Sequence, residues 1–174
     1  MLARPCDPIL HSFTSLPFAP VLLTAPTTLG WTSATPSTLV TGETSTSTAF
    51  VITPTQVYAI GNTITITASS AIWAADAATT TCTMSSSAAG RQTATYAVSG
   101  TQTVLTATLT SAVAAERLTI TCMDNMAANA AAATVVTFTA VSTLDTTSAS
   151  ATNTGYTITT GMACYSPTVL EYPP

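Results

Sequence analysis

NTITIT, residues 62–67, reads as a β-strand in which every second residue is threonine. The same alternation returns in TATLT at 106–110, LTITC at 118–122, VTFTA at 136–140 and YTIT at 156–159. Side chains alternate between the two faces of a strand. A period of two therefore assigns threonine to one face and Val, Ile, Leu or Ala to the other. Threonine suits the outward face because its branched Cβ packs on a pleated surface and its hydroxyl is hydrated without a charge.

Composition sharpens this. Charged residues make up 6% of the 174, against roughly 25% in an ordinary soluble domain. There is no lysine, and the arginines are Arg4, Arg91 and Arg117. The chain holds 41 Thr, 30 Ala and 17 Ser, about half its length. Disordered chains are rich in charge and poor in β-branched residues, the reverse of this one. No stretch approaches the ~18 uninterrupted apolar residues of a transmembrane helix. A net charge of −4 with three scattered arginines cannot supply the clustered cations that nucleic-acid phosphates require.

Residues 1–36 carry six of the ten prolines. Proline cannot donate to a sheet ladder, so this stretch is expected to be an extended arm. Its apolar residues, among them Phe13, Phe18, Val21, Leu22, Leu23 and Trp31, are too many for a solvated tail and mark it as an assembly arm lying on its own domain or on a neighbour. The first residues also resemble a secretion signal, interrupted by Pro8, Pro17, Pro20 and Pro26.

From residue 37 the text changes to short β runs, expected near 37–41, 47–53, 57–67, 79–85, 92–98, 102–110, 117–123, 134–142 and 155–160. Turn signals such as IGN, SAAGRQ, SGTQ and TNTG separate them. About seven to nine short strands at this spacing predict an all-β, immunoglobulin-like antiparallel β-sandwich over 37–160, with a tail at 161–174. MAANAAAA at 126–133 leans towards helix but is too short to be stable alone, and is expected to be a single turn or a close-packed connection.

Four cysteines in a charge-poor chain point to an oxidising, extracellular compartment. Parity places Cys82 with Met84, and Cys122 with Leu118 and Ile120, on inward faces. A Cys82–Cys122 bridge would close a loop of 40 residues, worth about 4 kcal/mol in the chain-entropy model. Cys6 and Cys164 would then tie arm to tail, or bridge to a neighbour; three pairings exist in all. An internal echo, AADAATTTC at 74–82 against AAERLTITC at 114–122, keeps the acid and the cysteine in register at an offset of 40.

No catalytic constellation is present. His11 is the only histidine, so a Ser–His–acid triad would have to reach into the arm. The cysteines lack zinc-ligand spacing. Asp124, Asn125 and Asn129 could offer oxygens to calcium, but one local carboxylate fits a plain turn better. Trp31 and Trp73 are expected as core or arm anchors rather than sugar platforms. The chain is accordingly expected to be neither an enzyme nor a cofactor carrier.

Threonine-rich faces admit several uses: simple solvation, O-linked glycans, burial against identical subunits, or ice binding through T-x-T units. The T-x-T units here have no fixed short period, which counts against the last. No N-x-S/T sequon begins at Asn62, Asn125, Asn129 or Asn153.

The run from FVITPTQVYAIGNTITITASSAIW through LTITCMDN to ATVVTFTAVSTLD, within 48–145, resembles β-sandwich modules of large Thr/Ala/Ser-rich surface proteins of algae and oomycetes. That resemblance implies an extracellular structural or adhesive role and carries over no catalytic residues. Inward cysteines 40 residues apart also look like an immunoglobulin sandwich, although no tryptophan lies between Cys82 and Cys122.

The expectation is an extracellular structural subunit of a filament or cell-surface coat. It would assemble with copies of itself through its arm and its charge-poor β surfaces. The alternatives are a monomeric adhesion module for carbohydrate, mineral or ice, and an accessory subunit of a larger complex.

Overall fold

A computed structural model describes residues 25–45, 47–74, 81–123, 126–147, 149–150 and 155–161. Its strands are β1 (Gly30–Pro36), β2 (Ser47–Thr53), β3 (Thr63–Ala68), β4 (Thr81–Ser86), β5 (Gly90–Gln92), β6 (Ala94–Val98), β7 (Val104–Leu109), β8 (Leu118–Met123), β9 (Thr134–Val136), β10 (Phe138–Ser142), β11 (Ala149–Ser150) and β12 (Tyr156–Ile158). No helix occurs among the described residues.

The strands form two five-stranded antiparallel sheets, ordered β1-β2-β8-β4-β5 and β11-β10-β3-β7-β6, with a two-stranded ribbon β12-β9. The period-two reading explains the core directly. Ile64 and Ile66 of β3 are fully buried, as are Leu105 of β7 and Leu118 and Ile120 of β8. These residues join Phe50, Ile52, Met84, Leu109 and Phe138 in one apolar cluster drawn from both sheets. Phe138 is its aromatic centre, with ring centroids 5.5 Å from Trp31, 5.5 Å from Phe50 and 5.6 Å from Tyr156. Each such pair adds about 0.5–1.5 kcal/mol beyond its area burial.

Cys82 and Cys122 are bonded to each other. They are also direct register partners, because β4 and β8 are antiparallel neighbours. The bridge thus staples two strands of one sheet instead of crossing between the sheets, as an immunoglobulin bridge does. The two copies of the sequence echo end in these adjacent strands, at Cys82 of β4 and Cys122 of β8.

The structure differs from the sequence expectation in several places. Gly30–Pro36, assigned to the arm, is β1 and pairs with β2 from Gly30↔Thr53 to Pro36↔Thr48. Trp31 is therefore part of its own sandwich: its ring stacks on Phe138 and is partly buried against the core. Residues 37–41, expected as a strand, hold only an isolated parallel bridge, Val40↔Thr159. The 57–67 run begins as a strand only at Thr63; its first part is pinned by a Tyr58↔Val113 bridge. The 134–142 run divides at Thr137, since β9 pairs with β12 while β10 pairs with β3. The 92–98 run divides at Thr93 into β5 and β6, which belong to different sheets. The alanine-rich stretch, by contrast, is a close-packed connection as expected, with Met126 bridging Trp73 and Ala128 bridging Thr44.

One threonine breaks the outward rule. Thr48 lies inside, fully buried, and its hydroxyl has no hydrogen-bond partner.

Candidate assembly surfaces

The outer faces of both sheets are built by the strand registers. On the second sheet, Thr63 of β3 aligns with Thr108 of β7, which aligns with Thr95 of β6. The next row is Val141, Thr65, Thr106 and Ala97, and the third is Thr139, Thr67 and Val104. Thr143 extends the first row through a 3.0 Å hydrogen bond between its hydroxyl and that of Thr63. The alternation that fills the core with isoleucine thus lays out a patch of hydroxyls and methyls on the other side.

The first sheet repeats the pattern. Thr35, Ala49, Thr121 and Thr83 form one register row, and Ser33, Val51, Thr119, Ser85 and Arg91 the next. Arg91, at the sheet edge, is the charged residue of these rows. Among the described residues the remaining charges are Glu43, Glu116, Arg117 and Asp145, all in connections between strands. Glu116 accepts from the Ala88 amide at 3.1 Å, which fixes the β4–β5 turn.

Asp145 is the fully buried carboxylate among these residues. Its Oδ2 accepts from the Tyr58 hydroxyl at 2.5 Å and from the Thr55 amide at 3.1 Å. Its Oδ1 accepts from the hydroxyls of Thr27 and Thr55. Ser142 bonds the Tyr58 hydroxyl at 2.5 Å and accepts from the Asp145 amide at 2.8 Å. Burial by itself would raise the carboxyl's pKa, but the donors Thr27, Thr55 and Tyr58 outweigh it and hold Asp145 below its ordinary value. Burial first, and the neighbouring Asp145 second, push Tyr58 well above the usual tyrosine range. The cluster ties the segment before β1 to the β2–β3 and β10–β11 connections. Its bonds join hydroxyl and amide donors to one carboxylate and so knot these segments together.

A surface cleft of about 520 Å³ adjoins the knot, with walls that include Pro26, Thr27, Thr55, Gln56, Thr143 and Leu144. Among the described residues these walls are uncharged. Among the described residues no three of His, Cys, Asp and Glu come together. Asn129, considered above as an oxygen donor to calcium, spends its side-chain amide on the carbonyls of Val40 at 2.7 Å and Thr38 at 3.3 Å. Trp73 is a fully buried core residue.

Cys6, His11, Phe13, Phe18, Val21, Leu22, Leu23, Asp124, Asn125 and Cys164 lie outside the described residues. Sequence reasoning passed over the Asp145 knot. Its one signal was a lone acid in a long stretch otherwise free of charge, between Asp124 and Glu171.

No family model and no curated protein matches the chain. Among solved structures, one titled "Crystal structure of BslA - A bacterial hydrophobin" is similar. It is 16% identical, covers 71% of this chain and 96% of its own, and has a TM-score of 0.39.

Proposed function

We propose that the protein is an extracellular structural subunit of a filament or surface coat, assembled from copies of itself. One observation carries this reading: the register rows on both sheets hold no charged side chain except Arg91 at an edge. A free monomer ordinarily keeps both signs of charge on its exterior and guards its edges against association. Burying threonine against a like surface is inexpensive when its hydroxyl finds a partner, whereas burying charge is not. The Cys82–Cys122 bridge supports an oxidising, extracellular setting.

The test is sedimentation and negative-stain imaging of the full chain across a wide concentration range under non-reducing conditions. The expected result is concentration-dependent assembly into particles larger than a monomer. A monomer at every concentration overturns the reading.

The alignment of hydroxyls into rows favours a second reading, a monomeric adhesion module whose threonine face lies on a hydroxyl-rich carbohydrate surface. Glycan binding by a chain that stays monomeric would select it.

A further inference from the structure

Among the described residues the two sheets have four edge strands: β1, β5, β6 and β11. Three carry the usual protections. β1 ends in Pro36, which has no donor, and is irregular between Trp31 and Ser33. β5 has three residues, one of them Arg91, and β11 has two. β6 has five residues, Ala-Thr-Tyr-Ala-Val, without charge, proline or glycine. Its register with β7 is uninterrupted from Ala94↔Leu109 to Val98↔Leu105. Such an edge is a template for another strand.

The direction in which its backbone groups point follows from two hydrogen bonds that bracket the ladder. Ser99 N donates to Val104 O at 2.9 Å, and Thr110 N donates to Thr93 O at 2.9 Å. Hydrogen-bonded pairs alternate along an antiparallel ladder. Thr95 and Ala97 therefore hold β7, and Ala94, Tyr96 and Val98 turn their N–H and C=O groups to the free edge. Among the described residues none of these three has a further backbone hydrogen bond outside the strand ladders. Their side chains pack against the core, which fixes the strand, while Thr95 and Ala97 are exposed on the outer face.

We propose that β6 pairs antiparallel with β6 of a second copy about a two-fold axis at Tyr96, joining two five-stranded sheets into one. This deepens the self-assembly reading and rests on it. In that register Ala94 faces Val98 of the second copy and Tyr96 faces Tyr96. All three outward donors and acceptors of each strand are then met by the other, and no charge faces a like charge. Thr28, near the start of the described residues, bridges Thr147 next to β11, at the opposite edge of the same sheet. The interface closes on itself and makes a dimer, the unit from which arm contacts would extend an assembly.

The proposed register sets Thr95 opposite Ala97 of the second copy. The double variant Thr95→Lys/Ala97→Lys therefore opposes like charges twice, and Thr95→Glu/Ala97→Lys opposes unlike charges twice. Both positions are exposed, and circular dichroism verifies the fold of each variant. Sedimentation velocity of the full chain at low salt should show dimerisation weakened by at least about tenfold in the first variant and restored in the second, with the restoration lost in high salt. If both variants and the unaltered chain assemble alike, the β6 interface is wrong while self-assembly stands. If the unaltered chain remains monomeric at every concentration, the self-assembly reading falls and the interface falls with it.

Discussion

The hydroxyl of Tyr58 donates a 2.5 Å hydrogen bond to Oδ2 of Asp145, and both residues are fully buried. Among the described residues the carboxylate has no cation beside it; hydroxyl and amide donors hold its charge. Removing one donor leaves the buried charge less well satisfied. Tyr58→Phe is expected to cost about 1.5–3 kcal/mol, read as a lower midpoint in urea with unchanged slope.

The same pair sets the limits of the pH range of stability. Asp145 is depressed in the fold, so its contribution is present above the unfolded carboxyl value of about 4 and is lost as pH falls through the folded value. Tyr58 is raised, and Tyr96 and Tyr156 are each pushed up to about 12 by burial. Their contribution is present below the unfolded tyrosine value of about 10 and is lost as pH rises above it. Thermal midpoints should be flat between about pH 5 and 9 and fall on both sides. Asp145→Asn should flatten the acid limb; an unchanged acid limb would show that another group governs it.

Thr48 is fully buried with an unbonded hydroxyl. Thr48→Val keeps the branched shape and removes the orphan. It should stabilise the sandwich by roughly 1 kcal/mol, raising the denaturant midpoint.

A Cβ on Gly155 would lie 2.0 Å from the carbonyl oxygen of Val136. Gly155→Ala must therefore push the chain away from β9. Amide exchange should accelerate at Tyr156–Ile158 while β3 and β7 remain protected.

Reducing the Cys82–Cys122 bond should cost about 4 kcal/mol, the closure entropy of its loop. The two strands should nevertheless stay paired in the reduced protein below its lowered melting point, because their ladder does not depend on the bond.

Truncation distinguishes arm from sandwich. Deleting residues 1–24 should preserve the fold and impair assembly. Deleting 1–36 also removes Thr27 and β1, and with them a donor to Asp145 and the Trp31–Phe138 stack, so that variant should melt well below the shorter deletion. Equal melting points would show that β1 contributes little.

Alternation is local, so a short window of sequence was enough to orient Ile64, Ile66, Leu118, Ile120, Cys82 and Cys122 inward and the T-x-T hydroxyls outward. The all-β class and the scarcity of charge on the faces follow from the same text. Strand partners are not local. Nothing near Trp31 says that β1 will pair with β2, or that Thr137 will divide one run between two sheets. The Asp145 knot gathers residues as far apart as Thr27 and Asp145, 118 positions along the chain. Such a site exists only once the chain has closed, because a buried charge selects its donors by proximity in space. Which edge remains open among the described residues was likewise decided by the sheet order, since every strand carries the same backbone groups and only its neighbours determine which of them go unpaired.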